Sequence, residues 1–177
     1  MSYLDEVKLT LEAVKNEVNM SGHLYPCTFE EVAKLEQQVG LKLPAAYKEF
    51  LLWSGHGLGN LEVGSDFYYD ELVEMQEAAP EILKADSVLR TPEFPQKLPD
   101  DAFVFWMHQG YQFTFFRCSE GNNPPVHYYR DSFKEDFKWN YQAHFTDFLT
   151  VEMKEHARLT RETTEIRDRM ARDWQNA

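Results

Sequence analysis

Between Ala102 and Arg130 the chain gathers its β-forming residues into one block. "AFVFWMHQG" and "YQFTFFRC" flank Gly110, and "VHYYR" follows the turn-rich "SEGNNPP". Runs of Phe, Tyr, Val and Trp around a glycine predict a hairpin and then a third strand. Aromatics make up 15% of the chain and are densest from Phe103 to Tyr141, so the sheet should be aromatic-rich. Phe103, Phe105 and Met107 alternate with Val104 and Trp106, which predicts two partly covered faces. The segments on either side have helical spacing. Helices, then strands, then a helix indicate an α+β domain, with helices packed on one antiparallel sheet.

Leu4, Val7, Leu11, Val14 and Val18 repeat at helical intervals, so a first helix should run to about Ser21-Gly22. Thr28 with Glu31 three residues on is a capping box for a second helix. Its buried face should hold Phe29, Val32, Leu35 and Val39, and Gly40 should end it. "LPAAYKEFLLWSGHGLG", residues 43 to 59, is a third helix with Pro44 in its first turn and glycines at its end. Residues 61 to 69 predict a short strand and a turn. Residues 70 to 86 look helical, with Pro80 expected to break or kink the run. Pro92, Pro95 and Pro99 mark residues 87 to 101 as a loop. A long final helix is expected from about Ala143 to Trp174. Its far end is mostly charge, with Leu159, Ile166, Met170 and Trp174 as a thin apolar seam. That seam offers a route to homo-oligomers, and whether the helix docks or protrudes is left open.

The 177 residues suit one domain spanning 1–177, with no internal repeat. The formal charge of -12 is uneven. Residues 150 to 177 hold six acidic and six basic residues, while residues 1 to 149 hold 24 acidic and 12 basic. Such a body repels nucleic acid and attracts basic protein surfaces. No apolar stretch is long enough to span a membrane. No apolar run follows a basic start, so no secretory signal is expected and the predicted location is cytoplasmic. Cys27 and Cys118 should then be reduced thiols.

No catalytic template fits. Ser54 and His56 lie close in sequence, but the GxSxG elbow is missing and a helix precedes the serine. The glycines at 55, 57 and 59 match neither phosphate-binding loop. Asp70-Glu71, Asp100-Asp101 and Glu30-Glu31 are adjacent carboxylates that point apart. His23 and Cys27 are four apart without the second close pair that a structural zinc site needs. No enzyme activity, cofactor or metal is therefore expected. The aromatic sheet carries one basic residue, Arg117, between Ala102 and Tyr129, too few for a base-stacking groove.

The strongest surface feature runs from Leu61 to Asp86, with eight acidic residues and one basic. Phe67, Tyr68 and Tyr69 sit among them. Aromatic anchors with a charged rim have the composition of a protein interface. The candidate partner-binding residues are Glu62, Asp66, Tyr68, Tyr69, Asp70, Glu71, Glu74 and Glu77, joined by Trp106 and Tyr128.

Glu36, Gly40-Leu41, Leu43-Pro44, Tyr47, Phe50-Leu51 and the glycine-rich helix end resemble the signature of the SUKH superfamily. Leu98, Pro99 and Phe103 before a hairpin, the "PVHYY" strand, and Phe145, Phe148 and Leu149 in the final helix extend the likeness over residues 28 to 153. The turn after the signature helix often carries Asn-Gly; here it is Ser54-Gly55-His56-Gly57. The resemblance implies a non-catalytic α+β protein-binding domain. Bacterial members neutralise cognate toxins, often nucleases, and fungal members are cell-wall synthesis regulators. It implies an immunity protein whose acidic surface covers a basic toxin domain, or a regulatory scaffold acting through its last helix.

Overall fold

A computed structural model describes residues 2–17, 24–87, 97–130 and 137–175. Five helices and two antiparallel sheets follow the expected α+β order. The helices are α1 (Asp5–Val14), α2 (Phe29–Val39), α3 (Ala45–Ser54), α4 (Leu72–Ser87) and α5 (Phe145–Gln175). The first sheet is a two-residue ribbon of β1 (Leu24–Tyr25) and β2 (Gly57–Leu58). The second is a meander of β3 (Ala102–His108), β4 (Gln112–Arg117), β5 (Val126–Arg130) and β6 (Phe137–Gln142).

The local signals at the helix ends act as read. The Thr28 hydroxyl accepts from the Glu31 N–H at 3.1 Å, and the Glu31 carboxylate accepts from the Thr28 N–H at 2.7 Å. Gly40 ends α2 in the left-handed region, at φ 69°. The Glu36 carboxylate then accepts from the Leu43 N–H at 2.8 Å and meets Lys42 and Lys48. Burial works against that charge, but these donors hold Glu36 below the usual carboxylate range. Glu36 thus ties the end of α2 to the start of α3, which is capped at Pro44. Two left-handed residues, Gln109 and Gly110, close the β3–β4 hairpin.

Tyr47 sits at the centre of the core. Its ring contacts Phe50, Phe103, Phe105, Phe116 and Phe145 at centroid distances of 5.1–6.0 Å. These rings join α3 and α5 to one face of the sheet. The opposite face has its own aromatic layer, with Phe113 stacked on Tyr129 at 4.8 Å and Phe115 against His127 and Trp139.

Several expectations change. β3 does not simply alternate. A bulge between Val104 and Trp106 adds one residue, so Trp106 pairs with Thr114 and shares a face with Phe103 and Phe105. Met107 joins Val104 on the other face. Residues 61 to 69 form turns rather than a strand; their β pairing is a single bridge, Asp66 to Met107. Pro80 does not break α4. It is exposed, on the solvent side of the helix. Phe29 is 76% exposed because it starts α2 on the solvent side, while Val32 and Leu35 are buried. β6, read as loop, is a fourth strand, with Phe137, Trp139 and Tyr141 at period two. Both cysteines are free thiols. The expected end of the first helix, the His23 end of its connection and most of the proline loop lie outside the described residues.

α5 both docks and protrudes. Phe145, Phe148, Leu149, Met153 and Ala157 are buried, and Arg161 reaches Glu17 beyond α1 at 2.8 Å. Beyond that point Ile166, Met170 and Trp174 are exposed. Arg158 pairs with Glu162 at 2.6 Å, as its four-residue spacing predicts, and also with Glu155.

The Tyr47 hydroxyl is buried with no hydrogen-bond partner. Its ring, not its oxygen, therefore carries the stabilisation. Tyr47→Phe should leave stability within about 1 kcal/mol of wild type or raise it, since no bond is lost. Tyr47→Ala should cost about 3–5 kcal/mol. Denaturant unfolding of the two variants checks the pair. A Phe variant as unstable as the Ala variant would show that the hydroxyl holds the core.

Candidate functional site

On the core-facing side of the sheet, beyond the core rings, three strands place Trp106, Thr114 and Tyr128 side by side. The bulge in β3 turns Trp106 onto this face. A shift in the β5–β6 pairing, with Asn140 left-handed at φ 54°, brings the Tyr141 ring to 5.2 Å from Tyr128. The Tyr128 hydroxyl donates to Gln112 at 2.6 Å. Thr114 is buried among them, and its hydroxyl has no partner.

The loop after β2 supplies the acidic wall. The Tyr68 hydroxyl shapes it by accepting from the Leu58 N–H at 3.2 Å and donating to the Leu61 carbonyl at 2.9 Å. Glu62 then adopts φ 57°, an uncommon conformation for a residue with a side chain. Its carboxylate accepts from the Trp106 indole N–H at 2.5 Å. Across from it stands Glu152 of α5, and two carboxyls placed together favour one of them keeping a proton. Burial, followed by the charges of Glu62 and Glu155, pushes Glu152 up to about 7. Burial and then Glu152 also push Tyr141 up. Next along α5, the His156 ring meets Asn60 at 3.1 Å. The result is a notch with an indole, two tyrosines and two adjoining carboxyls. It suits a cation carried on an apolar stem.

Glu62, Trp106 and Tyr128 meet in this notch. Tyr68 lies behind it with a tied hydroxyl. Asp66 is exposed beside Trp106 on the strand edge, where its backbone pairs with Met107 at 2.9 Å in both directions. Tyr69 and Asp70 group elsewhere, against His56: the Tyr69 ring lies 5.0 Å from the imidazole and Asp70 Oδ1 3.8 Å from its Nδ1. Glu71 is half-buried, and one of its carboxylate oxygens has no partner. Burial, then Asp70 and Asp66, raise its pKa. Glu74 and Glu77 are exposed on α4. Ser54 faces the core with no partner, while His56 turns to Glu31 at 3.1 Å.

Glu152, Tyr141 and Gln112 were not read from the sequence. Glu152 did leave a signal. It lies four residues after Phe148 and three after Leu149, so a carboxyl interrupts the buried stripe of α5.

A family model, the SMI1 / KNR4 family (SUKH-1), matches residues 26–151, from just before α2 into the first turns of α5. The chain belongs to the SUKH-1 family. The match includes Glu62, Trp106, Tyr128 and Tyr141 and ends one residue before Glu152. Membership supports a role in toxin immunity or cell-wall regulation in general, through protein contacts. A search of curated proteins found no match. Among the described residues no helix is long and apolar enough to cross a membrane.

The Glu152 shift gives a signed prediction. Its folded pKa lies above the ordinary 4.5, so the folded chain binds the extra proton. Its contribution to stability is full below about pH 4.5 and is lost as pH rises to about 7, in total at most about 3 kcal/mol. Glu152→Gln should flatten this part of the stability–pH profile. Equal slopes for variant and wild type in urea unfolding at pH 5 to 8 would count against a shared proton.

Proposed function

We propose that this SUKH-1 protein is a non-catalytic immunity-type domain that neutralises a basic toxin, a nuclease in the reading favoured by charge, by covering its cleft. The observation that carries this reading is the Glu62–Glu152 carboxyl pair under Trp106. A half-buried like-charge pair opposes folding unless a proton or a cation sits between the two carboxyls. A lysine or arginine from a partner supplies that cation, and its stem packs on Trp106, Tyr128 and Tyr141. The acidic body around the notch speeds encounter with a basic surface. The exposed Glu74 and Glu77 belong to that field rather than to the notch.

The test is binding of the purified chain to toxin-like domains encoded by neighbouring genes, by calorimetry across salt and pH. Affinity should fall as salt rises. It should also fall as pH drops below about 7, because the cation must displace the Glu152 proton. Trp106→Ala should cost at least about 2 kcal/mol, the level of an interface hot spot. Full affinity in Trp106→Ala and Glu62→Gln would move the interface elsewhere.

A second reading, a regulatory scaffold, has one favouring observation. Ile166, Met170 and Trp174 are exposed on the part of α5 beyond the body of the fold. Removing residues 163–177, past the Arg161–Glu17 pair, should leave toxin binding intact. Loss of a protein partner with the fold preserved would favour the scaffold.

A further inference from the structure

The end of α3 brings together three side chains that are 4 to 29 positions apart in sequence. Cys27 Sγ, Glu31 Oε1 and His56 Nε2 all lie within 4.8 Å of one another. We propose that these three residues form a zinc site, with the fourth tetrahedral position open to water or to a partner's side chain. Thiolate, imidazole and carboxylate are all zinc donors, and three protein ligands with one open position is a recognised zinc arrangement.

Each ligand is held by backbone. The Cys27 N–H donates to Leu51 O at 2.9 Å, and the His56 N–H donates to Tyr25 O at 2.8 Å. The β1–β2 ribbon lies between these anchors and fixes their separation. Glu31 uses Oε2 in the capping box, which leaves Oε1 facing His56. A Cβ at position 55 would lie 2.4 Å from Cys27 Sγ, so glycine at this position makes room for the sulfur.

The outer contacts fit as well. Asp70 Oδ1 stands 3.8 Å from His56 Nδ1, too far for a direct hydrogen bond, and adds negative charge beside the ring. The Tyr69 ring packs on the imidazole, and its hydroxyl donates to Glu31 O at 3.0 Å. Among the described residues neither Glu31 nor Asp70 forms an ion pair with a lysine or arginine. Burial, then Glu31 and Asp70, push the Cys27 thiol up to about 12, so without a cation it stays protonated. As the sulfur–zinc bond forms, that proton leaves to solvent; no electron is transferred.

The test uses the full chain stripped of metal and titrated with cobalt(II), then zinc(II). One equivalent of cobalt should give a thiolate charge-transfer band in the near ultraviolet, and zinc should bleach it. Cys27→Ser and His56→Ala should lose the band, while Cys118→Ser keeps it. Circular dichroism confirms that each variant is folded, and Glu31→Gln gives a further variant if Cys27→Ser is not. No thiolate band, or equal zinc affinity in wild type and Cys27→Ser, overturns the site. These readouts are independent of toxin binding.

Discussion

The seating of α3 on the sheet through Tyr47 is the joint on which the rest of the molecule depends. One fully buried ring touches α3, β3, β4 and α5 together. Aromatic rings at these spacings add to the apolar burial that dominates folding. The joint decides where both ends of α3 point. At the start, Ala46 N–H bonds Asn122 O at 2.9 Å, tying α3 to the turn before β5. At the end, Gly55, His56 and β2 emerge beside Cys27. The same joint sets α5 on the sheet through Phe145, which places Glu152 against Glu62 two turns further on.

The two clusters show how environment sets the state of a carboxyl. Glu31 accepts from the Thr28 N–H and faces His56, and its pKa is lowered. Glu152 is half-buried beside another carboxyl, and its pKa is raised. Both are glutamates at helical positions in an acidic chain. What differs is the supply of donors: a capped helix start offers an N–H, whereas the packed middle of α5 offers none.

Short-range chemistry was legible in the sequence, and long-range placement was not. The Thr28–Glu31 box, the Gly40 stop and the turn at Gly110 depend on residues within a few positions of one another. The fold class follows from their order, and the family from Glu36, Pro44, Tyr47 and the residues around them. The bulge that turns Trp106 depends on how β3 pairs with β4, and that pairing leaves no mark in "AFVFWMHQG". Pro80 inside α4 shows context overriding a propensity. β6 was readable from Phe137, Trp139 and Tyr141, whose alternation with polar residues is the pattern of a half-buried strand. Glu62 and Glu152 are 90 positions apart, and only the carboxyl in an apolar stripe hinted at their meeting. His23 lies close to Cys27 in the chain, and the ribbon and α3 set His56, 29 positions away, beside the same cysteine.

The charge of -12 has a bland explanation, that an acidic surface keeps a protein soluble. Solubility accounts for exposed residues such as Glu74 and Glu77. It does not account for Glu152. A carboxyl on the buried side of α5 adds little to surface charge while it holds its proton, and its ionisation opposes folding. An apolar residue of similar volume in such a place is often neutral or stabilising. The left-handed backbone at Glu62 is a second local cost, at the residue that faces Glu152. Two costs meeting at one exposed aromatic notch are hard to explain by packing. They fit the proposed role of this notch in receiving a partner's cation.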